Sequence, residues 1–144
     1  MALHLEWLGI AEGSVIDSRG VASLVGVNQN VITPQSFPFA WSSSVYVFAT
    51  EDSDDISENQ EVSGTVTLDF LDPDGTIISS STQTIKNQRK YKEIPVTIAL
   101  AAQVVIAIQK PGRFTIACAL RSANDGEPLE QLKKYVYILP LGEE

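Results

Sequence analysis

The chain has 144 residues, with ten lysines and arginines against eighteen aspartates and glutamates, a net charge of −8 and a pI near 4.5. This length predicts one domain, residues 1–144, with a core of its own. An apolar share of 44% excludes a disordered chain, and the acidic charge argues against non-specific binding to nucleic acid or anionic membranes. One cysteine and one histidine exclude an internal disulfide and a structural zinc site.

The first residues predict where the protein resides. They lack the basic region of a secretory signal, and Glu6 places a charge among their apolar side chains. No apolar run approaches the roughly 20 residues that a membrane helix needs. We therefore expect a cytoplasmic protein that binds neither membranes nor nucleic acid.

Strand patterns dominate the first third of the chain. Leu3 to Ile10 and Val21 to Val27 are rich in apolar and β-branched residues and predict strands, with turn chemistry between them at residues 17–20. Residues 33–41 contain two prolines, which lack a backbone donor, so we predict an extended crossing between sheets. Ser44 to Ala49 predicts the next strand.

The middle third contains the clearest hairpin pattern. Residues 64–71 alternate apolar and polar side chains, which predicts a strand with one face on the core and one in water. Asp72-Pro73-Asp74-Gly75 follows, with proline and glycine at the positions that a hairpin turn favours. The return strand, Thr76 to Ile85, is rich in serine and threonine, so we predict that it lies at a sheet edge.

The last third repeats the pattern of strands and turns. Turns are predicted at Lys110-Pro111-Gly112 and at residues 124–126, and a short helical turn at residues 100–102 is an open alternative to strand. The predicted strands are Ile94–Leu100, Val104–Gln109, Arg113–Leu120 and Lys134–Leu139. The whole chain thus predicts an all-β sandwich of about eight to nine strands, with Ig-like or related Greek-key topology.

Catalytic chemistry finds little support in the sequence. His4 is the only histidine, so a hydroxyl or thiol nucleophile that needs an imidazole base must use it, and no nucleophile motif accompanies it. Cys118 shares strand spacing with Phe114, Ile116 and Leu120, which predicts a buried, inert thiol in the core. We expect no enzyme, no catalytic residue and no cofactor.

Acidic residues cluster between two predicted strands. Residues 51–61 hold six carboxylates and no basic residue, a pattern typical of a solvated loop. Calcium is the alternative, because hard cations take oxygen ligands from clustered loop carboxylates. The candidate ligands are Glu51, Asp52, Asp54 and Asp55. Asp72 and Asp74 form a second acidic pair, which the predicted turn already explains.

Two further groups of residues predict an interface. Phe37, Phe39 and Trp41 either form an exposed apolar patch for a partner or plug one end of the sandwich. A basic patch is opposite in sign to the acidic loop, and the two loops either pair between subunits or are both ordinary solvated loops. The basic patch consists of Lys86, Arg89, Lys90 and Lys92.

Three stretches carry turn motifs in a familiar order. They are Asp17-Ser18-Arg19-Gly20 leading to Leu24-Val25-Gly26-Val27, then Leu68-Asp69-Phe70-Leu71-Asp72-Pro73-Asp74-Gly75, then Lys110-Pro111-Gly112-Arg113-Phe114. Their order and spacing resemble a bacterial family of small uncharacterised proteins with an early hairpin and a late Pro-Gly-Arg-Tyr hairpin. Val21 stands where that family has a lysine–leucine pair, and Phe114 replaces the tyrosine. The resemblance implies a single β-sandwich of bacterial origin and no catalytic residue.

These patterns together favour recognition over catalysis. We expect a non-catalytic protein-interaction module that self-associates or serves as an accessory subunit of a larger bacterial complex. The alternative is a ligand-binding sandwich that holds calcium or a carbohydrate in the loops at one end.

Overall fold

The computed structural model describes residues 3–11, 13–16, 22–25, 30–51, 61–88, 97–121 and 130–140, and their regular secondary structure is all β-strand. The predicted all-β class is therefore confirmed. The predicted turns at residues 17–20 and 124–126 lie outside the described residues. The strands are β1 (Leu3–Ala11), β2 (Gly13–Ile16), β3 (Ala22–Val25), β4 (Val31–Ile32), β5 (Phe39–Glu51), β6 (Glu61–Leu71), β7 (Ile77–Gln88), β8 (Thr97–Ile108), β9 (Gly112–Arg121) and β10 (Glu130–Ile138).

Eight of these strands form two sheets that share one hydrophobic core. The three-stranded sheet has the order β1-β5-β8, and the five-stranded sheet has the order β4-β10-β9-β6-β7. Neighbouring strands are antiparallel except for β4, which pairs with β10 in parallel. Strands β2 and β3 pair with each other as a separate two-stranded sheet. The sandwich of about eight strands agrees with the strand patterns of the sequence.

The core forms where the apolar faces of the two sheets meet. In β6, Val66, Leu68 and Phe70 are buried, while the residues between them keep partial contact with water. This confirms the alternation predicted for residues 64–71. Val45 and Val47 of β5 are buried in the same cluster as the β6 side chains, so each sheet covers the apolar face of the other.

The predicted hairpin at residues 72–75 is confirmed in detail. The Gly75 N–H donates to the Asp72 carbonyl over 3.0 Å, and Gly75 has a φ of 87°, a conformation that glycine adopts without steric strain. One Asp72 carboxylate oxygen accepts hydrogen bonds from the N–H groups of Asp74 and Thr76, each at 2.9 Å. Asp72 is thus occupied by the turn, as its position in the sequence predicts.

The turn before β9 rests on this hairpin. Gly112 has a φ of 150°, and a Cβ atom added there lies 2.5 Å from the Cγ of Pro73. Only a residue without a side chain allows this contact. The Lys110-Pro111-Gly112 turn and the hairpin at residues 72–75 therefore pack together at one end of the sandwich.

The proline-containing segment crosses between the sheets, as predicted. Residues 33–38 lie outside the strands and connect β4 of one sheet with β5 of the other. The following strand begins earlier than the sequence predicted, at Phe39 rather than Ser44. Both prolines precede Phe39, so every β5 residue has a backbone N–H for the ladder.

Strand β8 is longer than the sequence predicted. It runs without a break from Thr97 to Ile108, so the helical turn considered at residues 100–102 is wrong, and two predicted strands are one. Alternate residues from Ile98 to Ile108 face the core, and pairing with β5 continues along the whole strand. This pairing overrides the helix propensity of alanine and leucine. Strand β7 lies at a sheet edge, which confirms the prediction from its hydroxyl residues.

Candidate interaction surface

The open edge of β8 is the most unusual surface among the described residues. Strand β8 is the last strand of its sheet, and within the described part of the chain it pairs with β5 alone. Its twelve residues include no charged side chain and no proline, which are the two common means of protecting an edge strand. Val105, near its centre, is 69% exposed. An edge of this kind is a template for pairing with another strand.

One hydrogen bond identifies the backbone groups that face this edge. The Gln83 side chain on β7 donates to the Ala101 carbonyl over 3.0 Å, so this carbonyl points away from β5. Peptide groups alternate in direction along a strand, and the N–H and C=O groups of Gln103 and Val105 therefore point to the same edge. The N–H and C=O groups of Val104, between them, point toward β5.

The outer face next to this edge is also uncharged. Outward positions of β5 and β8 carry only small, hydroxyl, amide, aromatic or aliphatic side chains. Gln103 lies across the two strands, accepting from the Ser44 hydroxyl at 3.0 Å and donating to the Ser42 hydroxyl at 2.8 Å. Further along, the rings of Trp7 and Phe48 stack at 5.3 Å. The face is therefore flat and neutral in a protein whose net charge is −8.

The aromatic residues predicted for an interface occupy two environments. Trp41 is 6% exposed and belongs to the core, where its ring centroid lies 5.1 Å from that of Phe70. Phe37 and Phe39 are half-buried, pack against the core and contact each other edge-to-face at 5.9 Å. The environment of Trp41 agrees with the alternative in which this segment plugs one end of the sandwich.

Lys86, the one described residue of the predicted basic patch, lies at the opposite end of the molecule from the aromatic residues. Lys86 is exposed near the end of β7, whereas Arg89, Lys90 and Lys92 lie outside the described residues. Phe39 pairs with Ile108 at one end of β8, while the strands that flank residues 89–96 meet at the other end. The structure therefore does not bring Lys86 together with Phe37, Phe39 and Trp41.

The predicted calcium ligands are only partly described. Glu51 is 4% exposed at the last position of β5, so its carboxylate is not on a solvated loop. Asp52, Asp54 and Asp55 lie outside the described residues. Within the part of the chain that the structure describes, no three histidine, cysteine, aspartate or glutamate side chains come together as metal ligands.

The only histidine has a structural partner. His4 Nδ1 contacts the Glu130 carboxylate, whose other oxygen accepts the Leu5 N–H at 3.0 Å. The register of β1 against β5 shifts between Leu5 and Trp7, so Glu6 is an extra residue and forms a bulge. Glu130, at the start of β10, therefore ties the bulged edge strand to the other sheet.

Cys118 is buried as the sequence predicts. Its side chain belongs to the core cluster with Phe114, Ile116 and Leu120. Burial raises the pKa of the thiol from 9.0 to about 11, because an apolar environment disfavours the thiolate. A thiol in this state is a poor nucleophile at neutral pH.

This shift predicts a loss of stability in alkali. The pKa of Cys118 is higher in the folded chain than in the unfolded chain, so its contribution is complete below about pH 9 and is lost as the pH rises toward about 11. We expect the free energy of unfolding to fall by about 2 kcal/mol over this interval through Cys118. Urea unfolding at several pH values measures the slope. Cys118→Ala is the control, and an equally steep slope in that variant contradicts the prediction.

A pocket of about 460 Å³ opens between the two packed turns. Asp72, Asp74 and Lys110 give it polar walls, and Ile78 and Phe114 give it apolar ones. Asp72 uses one oxygen for the turn, and none of the described residues that line the space is a buried polar residue. The pocket therefore provides no specific support for a calcium or carbohydrate site.

Comparison with known proteins gives no family assignment. No protein-family model matches the chain, and no curated protein is similar to it. The resemblance to the bacterial family of β-sandwiches stays a prediction. Among the described residues there is no helix long and apolar enough to span a membrane.

Proposed function

We propose that this protein is a non-catalytic interaction module that self-associates through the open edge of β8. One observation carries the proposal: among the described residues, a twelve-residue edge strand without charge or proline pairs on one side only. In two copies, antiparallel pairing of β8 with β8 joins two three-stranded sheets into one sheet of six strands. Such a contact is isologous and closes at two copies.

As far as the structure describes them, the other three edges of the two main sheets are less suited to pairing. Strand β1 carries a bulge at Glu6 and is tied to Glu130. Strand β4 has two residues, and β7 is a hydroxyl-rich strand with Lys86 near its end. These features are typical of edges that avoid association. Strand β8 lacks all of them.

Charge favours the same edge. Two copies that each carry a net charge of −8 repel each other, and this repulsion is weakest where the contacting surface is neutral. Pairing also requires the Gln83 side chain to release the Ala101 carbonyl. A backbone N–H of the second copy replaces the Gln83 donor, so the Ala101 carbonyl keeps a hydrogen bond.

The absence of a catalytic role is part of the proposal. His4, the only histidine, contacts Glu130, and the pKa of Cys118 is raised by burial. The buried thiol is a poor nucleophile, and a carboxylate beside an imidazole orients it without supplying a nucleophile, so the proposal rests on the lack of a nucleophile motif in the sequence. We propose that the protein acts by binding in the cytoplasm and, as the family resemblance implies, in a bacterium.

An Ig-like Greek-key topology is our proposal for the strand connections. Support comes from the first strands of the chain. Strand β1 belongs to the three-stranded sheet, whereas β4 pairs in parallel with β10 in the five-stranded sheet. The connections β5–β6, β7–β8 and β8–β9 each cross between the sheets. This arrangement resembles the alternation of sheets in Ig-like sandwiches.

A charge placed on the edge tests the proposal. Val105 is exposed, so Val105→Lys leaves the core intact while it places two like charges in the paired strands. We expect the unchanged protein to have the mass of a dimer by light scattering, and the variant to have the mass of a monomer. Thr82→Lys, an exposed site on β7 with the same change of charge, is the control and remains a dimer. A monomeric unchanged protein, or a dimeric Val105→Lys variant, overturns the proposal.

A further inference from the structure

The outer face of β9 and β10 is a basic strip on an acidic protein. Its outward positions include three cations and no carboxylate: they are Arg113, Thr115, Ala117, Ala119, Arg121, Gln131, Lys133, Tyr135 and Tyr137. The whole chain has a net charge of −8. The charge of this face is therefore opposite to that of the molecule.

The register of the two strands spaces these cations evenly. Lys133 lies opposite Ala117, which is halfway between Arg113 and Arg121 along β9. Each step of four residues spans about 13 Å in a strand. An extended segment that lies along the strip therefore meets a positive charge at regular intervals over about 26 Å.

One end of the strip also offers aromatic and apolar surface. The Arg113 guanidinium lies 4.4 Å from the centroid of the Tyr135 ring, which holds the cation in place on the sheet. Tyr137 pairs with Val31 of β4, and both side chains are exposed. A neighbouring apolar patch gives a partner an anchor beside the cations.

Among the described residues, one carboxylate lies beside the strip on the same face of the sheet. Asp69 lies on β6, opposite Ala117, and accepts the Ser80 hydroxyl at 2.6 Å. Asp69 is one strand away from the outward residues of β9 and two strands away from Lys133. Arg121 donates to the Thr67 hydroxyl at 3.3 Å. A hydroxyl partner changes the charge of neither Asp69 nor Arg121, so the described outward positions of β6, β9 and β10 hold three cations and one carboxylate.

We propose that the β9–β10 strip binds an acidic protein segment in an extended conformation, with an apolar residue near Tyr137. The strip is short, so a peptide meets only its positive field, which falls off over about 8–10 Å in physiological salt. A longer and denser polyanion such as a nucleic acid extends beyond the strip and meets the acidic remainder of the chain. A short acidic segment is therefore the occupant that the charges favour.

Binding of a labelled peptide tests this inference. The probe is a fluorescein-labelled peptide of alternating glutamate and leucine, followed by fluorescence anisotropy at about 50 and 150 mM salt. We expect binding that weakens with salt, and a loss of about tenfold in affinity in both Lys133→Glu and Arg113→Gln. Lys110→Glu, which changes a cation in the turn before β9, is the matched control and binds as the unchanged protein does. Thermal unfolding checks that each exposed substitution leaves the fold intact.

Three outcomes overturn the inference. One is no binding of the peptide, and another is an equal loss of affinity in all three variants, which indicates a general effect of charge. The third is tighter binding of an oligothymidylate or of anionic phospholipid vesicles than of the peptide. Val105→Lys changes the other sheet and is expected to bind the peptide normally, so failure of the β8 proposal and failure of this inference are distinguishable.

Discussion

Replacing Trp41 with alanine is expected to lower the free energy of unfolding by about 3–5 kcal/mol. Trp41 is 6% exposed on the core face of β5. Its ring lies against Phe70 of β6, and the Phe70 ring lies 5.7 Å from that of Phe114 on β9. The three rings connect the two sheets, so truncation leaves a cavity between them. The loss is a large part of the total stability of a domain, about 5–15 kcal/mol.

Urea unfolding followed by circular dichroism measures this loss. Trp41→Phe keeps a ring in the same place and is expected to recover most of the stability. Phe39→Ala removes a half-buried ring at the start of β5 and is expected to have a smaller effect. If Trp41→Ala keeps its stability but loses self-association, the ring serves an interface, and its assignment to the core is wrong.

Much of the fold could be predicted from local patterns in the sequence. The alternation around Leu68 and the turn at residues 72–75 depend on neighbours within a few positions, and both are confirmed. The edge position of β7 could also be predicted locally, because serine and threonine side chains can face water at a sheet edge. These features are encoded over short stretches of chain.

The position of β8 in its sheet has no such local signal. Ala99, Ala101 and Val105 are exposed, yet an apolar run of this composition is also typical of a buried strand. Alanine and leucine additionally favour helix, which explains the alternative at residues 100–102. Strand β8 is an edge strand because it pairs with β5, 47 to 69 residues earlier in the chain, and no described strand pairs with its other side.

The candidate surfaces depend on distant pairing in the same way. Arg113 and Lys133 are separated in sequence, and only the register of β9 against β10 places them on one face. Conversely, Phe39 and Lys86 were predicted for one interface, but the directions of β5 and β7 place them at opposite ends. Composition identifies the residues available for binding, and long-range pairing decides which of them act together.

Two neighbouring prolines in β8 are expected to have opposite effects. The Ala101 carbonyl accepts from Gln83, so alternation directs the Val105 N–H to the open edge and the Val104 N–H to β5. Val104→Pro therefore removes a ladder hydrogen bond and is expected to lower the free energy of unfolding by about 3 kcal/mol or more. Val105→Pro removes only an edge donor, a substitution that edge strands tolerate. We expect it to remain folded and to be monomeric.

Unfolding curves and light scattering on both variants separate the two effects. A protein that uses the β8 edge needs the outward N–H groups, whereas one that associates through a side-chain patch does not. A Val105→Pro variant that folds normally and still forms dimers therefore excludes backbone pairing at β8, even if Val105→Lys is monomeric. Equal destabilisation by the two prolines contradicts the assignment of peptide directions, because only one of them faces β5. The proline pair thus tests the hydrogen bonds themselves, and the lysine tests the charge of the surface.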